Sequence, residues 1–461
     1  MHLLKQERGF YRDALMLMLP LVLQNIVTNF MALADTFMVG ALGEVELAAV
    51  SSANSLFYVV SLIIFGIQSG AGVLVAQYYG RGNSEAINRV MGMGYYVSLT
   101  ATALVALASF FFPGQIMRVL TNNPLLWEPG ADYARIAGFS YVCMAASGIY
   151  IAVQRSMENP RLGAVLLTVS GAMNIVLNYM LIYGKWGAPA MGCAGAALAT
   201  LISRAFEVAV IGVYATRSRR LKLSMSMLLR PGRQIAADFT RYSLPVVLNE
   251  GFWSLATTLY TVIMGHMEGS APILAAYTIA GNVDKMCTVA LMAAGNTAAI
   301  IIGREIGRGA ERERVYSKGV SLNFVCFITG LVSMCILLVV RATLLDSFIF
   351  PLIDISSEAG SIAKYMLLIV CLVTPLRAVN VCNVVGVFRG GGDVNYALKV
   401  DIGPLYCICV PSAALCGLVF GLGIEVVYLC IAFDDLAKTI LCLPHLRSGR
   451  WINSVTRSDA S

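Results

Sequence analysis

The chain is written twice. Leu19-Pro20-Leu21-Val22-Leu23-Gln24-Asn25 returns as Leu244-Pro245-Val246-Val247-Leu248-Asn249-Glu250, at an offset of 225 residues, and Gly40 matches Gly265 at the same offset. Tyr79-Gly80-Arg81-Gly82 returns as Ile306-Gly307-Arg308-Gly309 with the offset grown to 227. A two-residue insertion in one loop, between Gly43 and Leu274, accounts for the growth. A repeat this long obliges the chain to fold as two like halves, each solving the same packing problem.

Neither half suits water. Hydrophobic residues make up 58% and charged residues 13% of 461 positions, with a mean hydropathy of +0.75. Soluble domains average roughly 45–50% apolar and about 25% charged, so the sequence describes a polytopic membrane protein. Hydrophobic units repeated in one orientation build many secondary transporters, with the substrate path between them. No signal peptide is expected, because Met1 to Asp13 is polar and the next apolar run outlasts a signal's short core. The twelve cysteines lie mostly in apolar runs, such as Cys407, Cys409, Cys416 and Cys430, and read as free thiols.

A span needs about 20 apolar residues. Runs between polar breaks predict helices near 13–40, 46–78, 88–113, 131–155, 161–183 and 190–215. A second set follows near 239–266, 271–304, 317–341, 360–387, 394–418 and 421–445. The expected organisation is an N-terminal lobe over 1–216, a linker over 217–238 and a C-terminal lobe over 239–461.

The net charge of +7 is distributed for a membrane, and nucleic acid is not expected as a partner. With the N-terminus inside, 24 of the 33 Lys and Arg fall in inner segments and five outside: Arg118, Arg135, Lys185, Arg341 and Lys364. Arg204, Lys285, Arg377 and Lys438 lie within spans. That bias predicts both termini on the cytoplasmic side of the cell membrane. The linker from Arg217 to Arg233 mixes basic residues with Leu and Met. It reads either as a segment along the anionic inner leaflet or as a solvated tether.

Several short motifs recur in a fixed order. Gly40 follows Ala34-Asp35-Thr36-Phe37-Met38-Val39; Gln77-Tyr78-Tyr79-Gly80 ends span 2; Arg389-Gly390-Gly391-Gly392-Asp393 follows span 10. Asn174-Ile175-Val176-Leu177-Asn178 precedes Gly187-Ala188-Pro189-Ala190-Met191-Gly192 and then Cys193-Ala194-Gly195-Ala196-Ala197-Leu198-Ala199-Thr200. The ordered set resembles the multidrug and toxic compound extrusion (MATE) family along essentially the whole chain. The resemblance implies an all-α membrane protein of twelve transmembrane helices, in two six-helix lobes related by a pseudo-twofold axis along the membrane normal. It also implies an antiporter, exchanging incoming Na⁺ or H⁺ for outgoing cationic amphiphiles. The other expectations are contact with membrane lipids, a monomer, and no bound cofactor or metal beyond a possible Na⁺.

The glycines of Gly80-Arg81-Gly82 and Gly390-Gly391-Gly392 superficially suggest phosphate cradles. Both follow a helix instead of joining a strand to one, and no Walker lysine is present. Helix ends closed by a left-handed glycine account for them better. No HExxH or GxSxG occurs, and His2, His266 and His445 sit at a terminus or at span ends. No enzyme is expected.

Charge at mid-membrane costs roughly 2.5–3.5 kcal/mol on insertion scales, so each buried ionisable group needs a partner or a task. Asn174 and Asn178 are four apart, and so stack on one helix face, as Ala196 and Thr200 do. The family resemblance assigns Asp35, Asn174, Asn178 and Thr200 to a cation site, with Ala196 offering its carbonyl. One acid among neutral oxygens suits a hard cation, or a proton held on a buried carboxyl. The plain alternative is a helix-capping Asp35 beside a packing Asn pair.

In the second half, Glu250 stands where the first has Asn25, and a difference between repeats is where function tends to be added. The family's sodium-coupled branch pairs such a Glu with an Asp on span 10, where this chain offers Arg377. Glu250, Asp284, Lys285 and Arg377 form either a substrate or coupling contact or a neutral structural network, Glu250 pairing with Lys285 or Arg377. Arg204 with Glu207, and Asp435 with Lys438, are each three apart and are expected to close locally. The 21 Met and 19 Phe include candidates for a promiscuous cleft lining. A lipid-linked saccharide flippase is the rival reading. It predicts further helices and a strongly basic cleft, for which only Lys285 and Arg377 are at hand.

Overall fold

The computed structural model describes residues 6, 7, 9–218, 220–353 and 355–456. His2, and Lys5, Arg8, Arg219 and Arg457 of the charge count, lie outside the described residues. No strand occurs among the described residues. In the first half the spanning helices are α1 (Phe10–Gly40), α2 (Glu44–Gly80), α3 (Ser84–Phe111), α4 (Trp127–Ser156), α5 (Pro160–Tyr183) and α6 (Gly192–Arg217). The second half supplies α7 (Arg233–Gly265), α8 (Ser270–Cys287 and Val289–Gly307) and α9 (Arg312–Ile349). It ends with α10 (Ser357–Phe388), α11 (Val394–Val419) and α12 (Ile424–Ser448). Among the described residues, ten stretches are long and apolar enough to cross a membrane unaided. α7 and α12 complete the twelve; polar Asn249 and Glu250 dilute the first, and Asp434, Asp435 and Lys438 the second.

Local chemistry sets the helix ends. Gly82, Gly309 and Gly392 have φ of 72°, 71° and 84°, the left-handed conformation that closes a helix without a Cβ penalty. The phosphate-cradle reading of those glycines is thereby dismissed. Asn83 and Asp393 then cap the following helices by accepting from Ala86 N and Tyr396 N. Two irregularities are confined to the second half. α8 breaks at Thr288, whose amide and hydroxyl both return to the Asp284 carbonyl. Wide π turns run through Val340–Ile349, Cys382–Phe388, Leu405–Cys409 and Leu415–Val419.

The chain packs as two compact units whose limits differ from the covalent halves. One holds Leu23–Val247, and the other holds the residues up to Val22 with Leu248–Val455. Each changeover falls inside a helix, two residues past Pro20 in α1 and two past Pro245 in α7. Within the first unit, Gly66 and Gly70 of α2 lie against Val247 and Ser243 of α7, and a methyl on either glycine would overlap that backbone. Within the second, Leu21 is buried in one apolar cluster with Ala293 and Ile300 of α8, and Ala14 in a larger one that includes Ala294 and Ala298. Gln6 donates to Ser317 and Ser321 there, and Glu7 pairs with Arg314 at 3.0 Å. Ala293 is the repeat equivalent of Gly66 at the 227-residue offset, so the two prolines release equivalent half-helices onto equivalent surfaces.

The linker is folded onto α3 instead of hanging free. Asn88 donates to the Lys222 carbonyl and accepts from Ser224 N, Tyr96 donates to the Leu229 carbonyl, and Leu221 is fully buried.

Candidate functional site

In the first unit, the latter part of α1 lies along α5. Gly171 leaves room for α1: a methyl there would meet the Met31 thioether. Tyr183 ties the far end by donating to the Met38 carbonyl at 2.7 Å. That contact brings Asp35 to Asn178, whose Nδ2 donates to the carboxylate at 2.5 Å. The network continues from Asn178 Nδ2 to Asn174 Oδ1 (3.3 Å) and from Asn174 Nδ2 to Thr200 Oγ1 (3.3 Å). It ends with Thr200 Oγ1 donating to the Ala196 carbonyl (3.0 Å). All five residues expected from the sequence are thus joined in one chain across α1, α5 and α6.

Asn174 and Asn178 are almost wholly buried, and Asn178 Oδ1 accepts no hydrogen bond. A buried amide oxygen without a donor is costly. Beside a carboxylate it has the chemistry of a cation ligand, since oxygen donors around one negative charge suit Na⁺ or a proton. Among the described residues, no basic side chain is bonded to Asp35. The nearby Arg204 is occupied by Glu207, at 2.9 and 3.2 Å to its two oxygens. Glu207, fully buried, also accepts from Ser147 and Ser170. The local closure expected of Arg204 and Glu207 holds, with two serines added.

The second unit holds acids and bases in different partnerships from those expected. Glu250 pairs with Arg389 at 3.1 Å, and with neither Lys285 nor Arg377. The charge count places Arg389 in an inner segment, but it is 2% exposed at the end of α10. Asp284 does join Arg377 (2.7 Å), and Arg377 also holds Asp435 (3.1 Å). Asp435 and Lys438 do not close on each other. Lys438 lies between Asp401 and Asp434, 2.6 Å from each. Lys285 points away from this network and is exposed. The reason is helical geometry: adjacent Asp284 and Lys285 diverge by about 100°, and only Asp284 faces α10.

Sequence reasoning missed Asp401, Asp434 and the acid-binding role of Arg389. Asp434 adjoins Asp435 within an apolar run, and that acidic pair was the available signal.

Comparison with known proteins accords with this arrangement. The MatE family model matches twice, over residues 20–180 and 245–413, the two matches starting one repeat offset apart. Multidrug resistance protein MdtK of Yersinia pestis is 25% identical over 423 residues, covering 88% of each chain. An uncharacterized transporter of Bacillus subtilis, YisQ, is 22% identical over 438 residues, covering 94% of this chain and 93% of its own. Among solved structures, an outward-facing multidrug resistance MATE transporter of the MOP superfamily superimposes with a TM-score of 0.85 at 18% identity, covering 96% of this chain and 98% of the other. A MOP superfamily transporter from Pyrococcus furiosus, described as having a binding pocket of reverse polarity, gives 0.85 at 19% identity, with 97% of each chain covered. With both halves matched by the family model, the chain belongs to the MATE family of multidrug efflux transporters.

Proposed function

We propose that this protein is a cation-coupled antiporter of the cell membrane, exporting cationic amphiphilic drugs or toxins in exchange for Na⁺ or H⁺. It acts as a monomer with both termini cytoplasmic, an orientation supported by the 24-to-5 bias of basic residues. One observation carries the reading: an acid without a basic partner, Asp35, adjoins a buried amide oxygen without a donor, Asn178 Oδ1.

The coupling ion is taken by Asp35 and Asn178, with Asn174, Thr200 and Ala196 fixing the amides. Ion arrival cancels the Asp35 charge and alters the packing of α1 on α5, in a helix whose backbone ladder is already interrupted at Pro20. The ion drives transport only by binding one conformation better than the other, since equal affinity shifts nothing.

The test is ethidium efflux from proteoliposomes with Na⁺ and proton gradients imposed separately. One of the two gradients should drive efflux, and Asp35→Asn should reduce it to the protein-free background with membrane abundance intact. Undiminished efflux in that variant removes Asp35 from the mechanism.

A further inference from the structure

Lys438 stands between two carboxylates inside the second unit. Its ammonium, on a residue 5% exposed, sits 2.6 Å from Asp401 Oδ1 and 2.6 Å from Asp434 Oδ2. Asn249 Nδ2 steadies the first acid by donating to Asp401 Oδ2 at 2.7 Å. Three more oxygens at this place have no hydrogen-bond partner: Asn249 Oδ1, Asp434 Oδ1 and the Tyr260 hydroxyl. Tyr260 is 3% exposed and lies within the electrostatic reach of Asp434 and Lys438. Two carboxylates, an amide oxygen and a phenol are the ligand set a hard monovalent cation asks for.

Neighbouring charges are felt here but are bonded to other partners. Arg377 is shared by Asp284 and Asp435, and Arg389 is held by Glu250. Lys438 is the ammonium paired with both Asp401 and Asp434, and two carboxylates on one ammonium keep it in place. The repeat sharpens the point. At an offset of 231, Lys438 stands where the first half has Glu207, the residue that occupies Arg204.

We infer that Lys438 is a resident cation, filling an oxygen cage in the second unit that would otherwise bind a free monovalent cation, and thereby confining ion exchange to Asp35. The one-ion stoichiometry rests on the function proposed above; the cage does not. Removing the ammonium leaves two facing acids without a counter-charge, a state relieved by recruiting an ion from solution.

Equilibrium binding of radioactive sodium to the purified full-length protein tests the inference. Lys438→Met should bind one more sodium ion per chain than the wild type, and should keep it when combined with Asp35→Asn. Asp35→Asn alone should bind none, and Asp434→Asn alone should leave wild-type binding unchanged. A folded Lys438→Met, or Lys438→Gln where the first does not fold, that gains no sodium overturns the inference. So does sodium bound by Asp35→Asn alone, or lost in Asp434→Asn. Wild-type protein that binds no sodium and a fully active Asp35→Asn would instead sink the Asp35 mechanism, leaving the gain by Lys438→Met to decide for or against the cage.

Discussion

Asp35 in the first unit and the acids of the second differ in what stands opposite them. Asp35 meets an amide, and nearby Arg204 is already held by Glu207. Asp284 and Asp435 share Arg377, and Asp401 and Asp434 share Lys438. A carboxylate facing dipoles keeps its charge available to a mobile ion, whereas one facing a guanidinium or ammonium has already found its cation. Duplication gave both halves the same helices, and side-chain divergence made one of them exchangeable. The same contrast marks the backbone. α2 runs unbroken, while α8 breaks at Thr288, one turn past Asp284, and α10 turns wide just before Arg389.

The largest effect should come from breaking a shared cation in the second unit. Arg377→Met leaves Asp284 and Asp435 facing each other without their counter-charge, and losing one partner of a buried ion pair costs about 3–5 kcal/mol. Thermal unfolding in detergent should show a strongly destabilised protein, or none should be recovered folded. Rescue by Asp284→Asn in the same chain should be partial, because one of the two repelling charges is then gone. Wild-type stability in Arg377→Met would mean that the triad is not a structural element, and the contrast between the units would fail.

Much of this architecture was legible in the sequence, because periodic apolar runs and the repeat are properties of the chain itself. Twelve spans, their limits to within four residues except at the start of α7 and both ends of α9, and the two-copy organisation all followed from where polar breaks fall. The Asp35 group was legible for a related reason. Asn174 with Asn178, and Ala196 with Thr200, are i,i+4 pairs, so helix geometry alone puts each pair on one face. The second unit was not legible. Its partners lie on four helices, α7, α8, α11 and α12, besides Arg377 and Arg389 on α10, and no spacing rule says which acid meets which base across helices. Local proximity misled in the case of Asp435 and Lys438: a three-residue separation permits a contact, but Arg377 and Asp401 offered better ones. Likewise, the exchange of half-helices at Pro20 and Pro245 depends on tertiary packing, and a proline marks only where a helix can yield.

A smaller effect, read in ion affinity instead of stability, is expected at Asn178. Asn178→Ala removes both the amide that donates to Asp35 and the unpartnered Oδ1. A hydrogen bond to a charged group is worth about 1.5–3 kcal/mol, which corresponds to a roughly 10- to 150-fold weaker coupling ion. The concentration of the driving ion giving half-maximal efflux should rise by that factor, while the thermal midpoint moves little. Arg377→Met should show the opposite pattern where it can be measured: lost stability, with the ion dependence of any surviving transport unchanged. If Asn178→Ala instead unfolds the protein and spares the ion affinity, Asn178 belongs with the scaffold, and the distinction between the units loses its functional meaning.

Thr200→Val should have the smallest effect, and tests how far the site's order extends from Asp35. The hydroxyl accepts from Asn174 Nδ2 at 3.3 Å and donates to the Ala196 carbonyl at 3.0 Å, so it reaches Asp35 only through two amides. Valine keeps the shape, and the net loss is that of a neutral hydrogen bond, about 0.5–1.5 kcal/mol. Since Asn174 also accepts from Asn178, part of that loss should pass along the chain as a roughly two- to tenfold rise in the half-saturating ion concentration. A conservative Thr200→Ser should restore the wild-type value by restoring the hydroxyl. Were Thr200→Val to shift ion affinity as far as Asn178→Ala does, Thr200 would touch the ion directly, and the site would be centred on α6 instead of on the contact between α1 and α5.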